Sequence, residues 1–254
     1  MGSALARAVC RAVSPDRVLL SNRTPAKAQS LAAELGCRVS DSVTIARQAG
    51  RILLGVKPQK MEELLCSIAP VLEKREDRFL LITMASGLTI ADIRRMAGKP
   101  YPILRIMPNT PASIGEGMIL YTCSEEITSE EEQSFLQDFS GAGRLSALPE
   151  GLMDAGAALT GCGPAFVDLF LEALADGGVA CGLPRVQALE YAAQMVAGSA
   201  RLVLESGQHP GVLKDAVCSP GGTTIQGVRA LEARGFRSAC MEAVLAAFQA
   251  TQTH

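Results

Sequence analysis

The chain has 254 residues, 48% of them hydrophobic, with a net charge of −2 and a pI near 5.8. That length and apolar content suit one large or two modest domains with real cores, and a mildly acidic chain without Lys/Arg runs offers no electrostatic footprint for nucleic acid. No apolar run approaches the roughly 18 residues needed to cross a membrane, and the eight scattered cysteines form no C-x-x-C pair, so the expectation is a soluble cytoplasmic protein with reduced thiols.

Residues 2–13 read as a helix, and 17–21 as a short buried strand that ends in Asn22-Arg23-Thr24, with Pro25 suited to the first turn of a helix reaching Leu35. An extended piece at 37–39, a helix over 42–49 and the apolar strand 51–56 follow. Helices near 59–71 and 90–97 then alternate with strands at 79–83 and 103–107. A strand at 117–121, a helix over 130–139 and an extended piece at 143–147 complete this part. Near-continuous apolar strands alternating with helices predict an α/β, doubly wound (Rossmann-like) parallel sheet covered on both faces, a dinucleotide-binding domain over residues 1–149.

Ligands of such sheets bind beyond the carboxyl ends of the strands. Those ends carry Ser21-Asn22-Arg23, Val56-Lys57-Pro58, Ala85-Ser86-Gly87 and Asn109-Thr110. At the end of the second strand of a dinucleotide fold an acid selects NAD, whereas an Arg accommodates the 2′-phosphate of NADP. Here the position holds no acid, and the Ser21 hydroxyl with the Arg23 guanidinium predicts a preference for NADPH, with NADH usable. Lys57 reads equally as a cofactor contact and as a solvated charge, and Asn109 as a cofactor-binding or loop-ordering residue. A dinucleotide domain should open with a buried strand and G-x-G-x-x-G, yet this sequence opens on the helix, so Met1-Gly2 would be the tail of that fingerprint. The expectation is an apolar strand with spaced glycines encoded upstream.

From Pro149 the strand pattern stops, and residues 150–254 are Ala-rich and helical, a second domain suited to close helix packing and dimerisation. Within it Cys218-Ser219-Pro220-Gly221-Gly222-Thr223-Thr224 breaks the chain and opens a helix whose apolar residues Ile225, Val228 and Leu231 keep helical spacing. A helix start has backbone N–H groups without partners and partial positive charge, which suits a carboxylate or phosphate. The plain alternative is an ordinary capped helix. Only two histidines exist, His209 and His254, which excludes a His-rich metal site, and no G-x-S-x-G elbow is present. Glu205 and His209 read as cap and surface residues, and Asp215 beside Lys214 as a solvated face. Whatever chemistry occurs is then supplied by a cofactor.

The run Leu159-Thr160-Gly161-Cys162-Gly163-Pro164-Ala165-Phe166, then residues 172–176, Gly182-Leu183-Pro184, His209-Pro210, Leu213-Lys214-Asp215, the 219–224 turn and Gly235-Phe236-Arg237 resemble pyrroline-5-carboxylate reductases. Val56-Lys57-Pro58 and Met107-Pro108-Asn109-Thr110-Pro111 agree in the first half, while Thr160 and Cys162 stand where the family usually has serines. The resemblance implies the last step of proline synthesis, hydride transfer from NAD(P)H to the ring C=N of 1-pyrroline-5-carboxylate, giving L-proline. It implies a carboxylate held by Ser219, Gly221, Gly222 and Thr223, with Thr224 hydrogen-bonding the ring nitrogen. It also implies a site built at the interface of a homodimer, or of a higher oligomer of dimers. Two other readings stand beside it: a reductase of another small imine or 2-oxo acid, and a helical dimerisation partner that binds little nucleotide.

Overall fold

The computed structural model describes residues 1–252, so His254 lies outside the described residues. The chain divides into two compact units, Met1–Cys162 together with the chain end from Phe248, and Gly163–Ala247.

In the first unit α1 (Gly2–Val9) is shorter than the helix expected over 2–13, because Pro15 holds Ser14 extended and the chain must turn before it. β1 (Leu19–Leu20), α2 (Pro25–Leu35) and β2 (Arg38–Val39) follow, and β1 and β2 form a small parallel sheet that shares no ladder with the larger one. Next come α3 (Ser42–Gln48), β3 (Arg51–Leu54), α4 (Met61–Leu72), β4 (Leu80–Thr83), α5 (Ile90–Ala97) and β5 (Ile103–Met107). β6 (Gly117–Cys123), α6 (Ser129–Asp138) and β7 (Gly143–Ala147) complete a five-stranded sheet of order β3-β4-β5-β6-β7. The sheet is parallel except where β6 runs antiparallel to β5. The β5–β6 connection is one short 3₁₀ segment, Thr110–Ile114, too short for the crossover a parallel partner needs, so the chain returns as a hairpin.

Alternation along the strands assigns the two faces. Ile52, Leu54, Leu81 and Ile103 point to a layer made by Met61, Leu65, Ile68 and Leu72 of α4 and Ile90, Ile93 and Ala97 of α5. Leu80, Ile82, Leu104, Ile106 and Ile119 point the other way, onto Leu5 and Ala8 of α1 and Phe135 of α6. Each layer hides a whole face of the sheet, which at about 25 cal/mol per Å² of apolar surface is the main term holding the unit together. Thr89 and Thr128 close capping boxes with Asp92 and Glu131, which explains where α5 and α6 begin. At Asp92 the hydrogen bonds from Thr89, and then the Arg95 guanidinium, pull the carboxyl down to about 2.

Arg105 interrupts this apolar pattern. By alternation it shares the face of Ile103, lies 2% exposed, and sends Nη2 to Asp154 Oδ1 at 3.0 Å and Nη1 to Glu150 Oε1 at 3.4 Å. Glu150 Oε1 in turn accepts from the backbone N–H of Ile90 at 2.7 Å, so one carboxylate serves both a buried cation and a helix start. Asp154 belongs to α7 (Met153–Thr160), which packs Met153 and Ala157 onto Met107 and Leu120.

The second unit holds α8 (Gly163–Ala180), α9 (Arg185–Ser206), α10 (Pro210–Ala216), α11 (Thr223–Ala233) and α12, which begins in this unit and spans Phe236–Thr251. α8 and α9 pack through Ala175, Ala188 and Ala192, small side chains that let the helices approach. By contrast α11 and α12 bury no residue at all. The expectation that no apolar run reaches membrane-spanning length is corrected here. Glu150–Ala180 is a 31-residue helical stretch containing an 18-residue window of mean hydropathy 1.4, only 11% of it buried. Counting uninterrupted apolar side chains misses it, because its Ala, Val, Leu and Phe residues keep the mean hydropathy high on either side of single acids. On α8 those acids, Asp168, Glu172 and Asp176, recur every fourth residue and so share one face, beside Leu169, Arg185 and Leu189. A helix with an acidic stripe and an exposed apolar remainder is amphipathic, the pattern of a helix that meets a partner.

Candidate active site

The strand ends of the first unit bring several of the candidate residues to one edge of the sheet. Met84 follows β4, and its methyl lies 3.3 Å from where a Cβ on Gly55 would stand and 3.9 Å from one on Gly2. The start of α1, where no side chain caps the helix, therefore adjoins the ends of β3 and β4. Small residues on both sides leave the backbone approachable, as a phosphate-bearing ligand requires. Gly87 (φ +74°) turns the chain after β4 with open space where a Cβ would stand, and the N–H of buried Ala85 donates to Thr83 Oγ1 at 3.3 Å.

Ser21, Asn22 and Arg23 lie exposed beyond β1, and Asn22 Oδ1 accepts from the N–H of Thr24 at 2.9 Å, an Asx turn that presents Arg23 outward. Among the described residues neither the Arg23 guanidinium nor the Lys57 ammonium has a hydrogen-bond or ion-pair partner, although the Lys57 carbonyl accepts from Lys60 N at 2.9 Å. The Lys60 ammonium, bound at 2.7 Å, holds the Glu63 carboxyl below the usual range, with a smaller contribution from the charge of Arg23. Lys57 opens the 3₁₀ segment Pro58–Lys60, while Val56 is half-buried against the α4 layer.

Asn109 has a different setting. It is 8% exposed, its Nδ2 donates to Thr160 O at 3.0 Å, and its Oδ1 accepts from Met118 N at 3.0 Å. Both ends of the amide are thus used inside the protein, tying β5, β6 and the end of α7 together. Two internal hydrogen bonds of this kind are what a loop-ordering residue makes. Thr160, one of the departures from the family pattern, bonds back to Gly156 O at 2.9 Å, as a helix-terminal serine could.

In the second unit the Pro-Gly-Gly turn has the predicted form. Gly221 takes φ +70°, and Gly222, extended at φ −71° and ψ 173°, is the N-cap of α11 with no side-chain hydrogen bond to it. The turn closes by Gly222 N donating to Ser219 O at 3.1 Å. Ser219 Oγ sits so close over Gly222 that a Cβ there would come within 2.3 Å of it. The Ser219 hydroxyl and the first amides of α11 therefore converge, and Thr223 and Thr224 are exposed beside them. His209 caps α10, its Nδ1 accepting from Gly211 N at 3.0 Å, and Lys214 pairs with Asp215 at 2.5 Å, so neither histidine nor acid joins the turn as a proton donor.

Arg105 with Glu150 and Asp154 was missed by motif reading. Its signal was an Arg inside the apolar run Ile103–Met107, since a strand buried on both faces tolerates a cation only when partners reach it.

Comparison with known proteins decides the family. Residues 150–254 match the pyrroline-5-carboxylate reductase dimerisation family, and residues 1–87 match a family described as NADP oxidoreductase, coenzyme F420-dependent. The pyrroline-5-carboxylate reductase of Escherichia coli (strain K12) is 40% identical over 233 residues, covering 91% of this chain and 86% of the relative. The chain belongs to the pyrroline-5-carboxylate reductase family. The Synechocystis reductase is 40% identical over 251 residues, 98% of this chain and 92% of its own. The crystal structure of Plasmodium falciparum pyrroline carboxylate reductase with NADP bound superposes with a TM-score of 0.85 at 32% identity, covering 100% of this chain and 94% of that one. A pyrroline-5-carboxylate reductase from Coxiella burnetii, 28% identical, gives a TM-score of 0.89 over 99% and 93%. The dimerisation match includes α11 and α12, which have no fully buried residue, and the apolar side chains they leave at the surface suit cover by a second copy.

Proposed function

We propose that this protein reduces the ring C=N of 1-pyrroline-5-carboxylate to L-proline, as a soluble cytoplasmic homodimer. The observation that carries the chemistry is the start of α11, where no side chain caps the helix and Ser219 Oγ leans over Gly222. A ring carboxylate accepts hydrogen bonds from the amides of Gly221 and Thr223 and from the Ser219 hydroxyl, while Gly222, whose own N–H closes the turn onto Ser219 O, leaves the approach clear of a side chain, and the helix dipole adds to the attraction. Held there, the substrate is fixed in orientation, and Thr224 Oγ1 reaches the ring nitrogen. A protonated imine is already electrophilic, so these residues orient it and stabilise the developing amine instead of delivering a proton from a strong acid. That agrees with His209, the one histidine among the described residues, serving as the cap of α10.

NAD(P)H bound to the first unit supplies the hydride. The outward guanidinium of Arg23 with the Ser21 hydroxyl holds a 2′-phosphate, while Lys57, Ala85 and Gly87 line the strand ends and the start of α1 receives the pyrophosphate. Arg23→Ala is expected to reduce the preference for NADPH over NADH about ten- to hundred-fold, the equivalent of one charged hydrogen bond of about 1.5–3 kcal/mol. Steady-state KM values for the two coenzymes measure it, and an unchanged ratio would remove Arg23 from the coenzyme site.

The reading is tested by NADPH oxidation with pyrroline-5-carboxylate against open-chain 2-oxo acids, in wild type and Thr224→Ala. The expected result is at least a several-fold loss of kcat in the variant with the coenzyme KM unchanged, and negligible turnover of the open-chain acids. Equal rates on both substrate classes would point to a different reductase.

A further inference from the structure

Two thiols far apart in sequence meet in the first unit. Cys10 Sγ lies 3.3 Å from Cys37 Sγ, both half-buried. Cys10 is the C-cap of α1, and Cys37 stands between the left-handed Gly36 that ends α2 and the first residue of β2. The approach is held by more than the sulfurs. One turn earlier on each helix, Arg7 and Glu34 form a two-pronged ion pair, Nε to Oε1 at 2.8 Å and Nη2 to Oε2 at 2.7 Å. The N–H of Cys37 is anchored to Ala32 O at 3.0 Å, and that of Cys10 to Ala6 O at 3.0 Å.

We propose that Cys10 and Cys37 form a reversible dithiol–disulfide pair, closed by exchange with a low-molecular-weight disulfide of the glutathione class. The sulfurs need approach by little more than an ångström to reach bonding distance, a movement that side-chain rotation can supply. The order of events follows from their surroundings. Burial first, then the hydrogen bond and charge of Cys37, push the Cys10 thiol up to about 12, so Cys10 does not make the first attack. The Cys37 thiolate attacks one sulfur of glutathione disulfide, forming a mixed disulfide and expelling one glutathione thiolate. With Cys37 capped, its opposing charge is gone. Cys10 then loses its proton, attacks Cys37 Sγ and expels the second glutathione. Two protein thiols are oxidised by two electrons, one glutathione disulfide is reduced to two thiols, and the two protons leave with them. The closed loop contains β1 and the exposed Ser21–Arg23 turn, so oxidation restrains the segment that bears the proposed phosphate contact.

The test is exchange of the full-length protein in oxidised glutathione, followed by alkylation, trypsin and non-reducing mass spectrometry. The expected product joins the peptides spanning residues 8–11 and 28–38, reverts on reduction, and runs as a single chain on a non-reducing gel. Cys10→Ser, or Cys10→Ala should the serine variant be insoluble, is expected to stop at one glutathione adduct on Cys37. The proposal fails if the wild-type protein shows no joined peptides under these conditions, if the linkage is between chains, or if Cys10 is modified before Cys37.

Discussion

Gly222→Ala is expected to raise the KM for pyrroline-5-carboxylate ten- to hundred-fold while leaving the fold intact. Gly222 sits at φ −71° and ψ 173°, angles any residue adopts, so alanine carries no backbone strain. Replacing an N-cap glycine costs a few tenths to about 1 kcal/mol, and the lost freedom of the unfolded chain returns about 0.4–1 kcal/mol. The net change in stability is near zero. The methyl group, however, would stand 2.3 Å from Ser219 Oγ and 3.2 Å from Ser219 O. The serine hydroxyl must rotate out, and the methyl then covers the amides it had stood beside. Losing one charge-assisted hydrogen bond to a carboxylate, about 1.5–3 kcal/mol, is a factor of roughly 10–100 in binding. Gly221→Ala is the contrasting control, because φ +70° strains any side chain and should lower the melting temperature as well. A Gly222→Ala protein with wild-type melting and a wild-type KM would take the carboxylate away from this turn.

Gly143→Ala is expected to destabilise the first unit by about 4 kcal/mol or more, and so to lower the melting temperature by roughly 10 °C or leave the protein insoluble. Gly143 opens β7 opposite Gly117 of β6, at φ +123°. A Cβ there would lie 2.2 Å from Gly117 O and 2.4 Å from Gly117 N, and both are main-chain atoms that cannot rotate aside. The strands would have to part at their first pair. Gly117 has no room to yield, since its own Cβ position is 2.6 Å from Ala142 O and 2.8 Å from Ala112 Cα. Next to this crossing, Gly141 lets Ala8 O of α1 come as near as 2.3 Å to its Cβ position, and Arg11 Nη1 donates to Gly141 O at 3.0 Å. The disturbance would therefore run into the layer formed by Leu5, Ala8 and Phe135. Thermal unfolding measures the effect, and a loss under 1 kcal/mol would mean that β6 and β7 pair in another register.

Periodicity was enough to read α5 and β5 residue for residue, whereas α6 was read one residue late, its start being set by the capping box of Thr128 with Glu131. Such signals are local, since each depends on side chains within about one turn of the chain. The Pro-Gly-Gly turn was legible for the same reason: a left-handed glycine and a helix N-terminus are both properties of a few consecutive residues. Asn109 was half legible. Its place at a strand end is a matter of sequence, but whether its amide faces a ligand depends on Thr160 and Met118 arriving from two other elements.

The amino-acid order alone thus determined the alternation of strands and helices, the change of pattern near residue 150 and the helix start at Gly222, because short-range sterics and hydrogen bonding specify them. Only the tertiary structure decided that β6 turns back against β5, that Arg105 finds Glu150 and Asp154, that Cys10 meets Cys37, and that α11 and α12 are left without a fully buried residue. Those outcomes depend on which distant surfaces come together, and the free energy that selects them is the burial of whole faces, a quantity no single stretch of the chain carries.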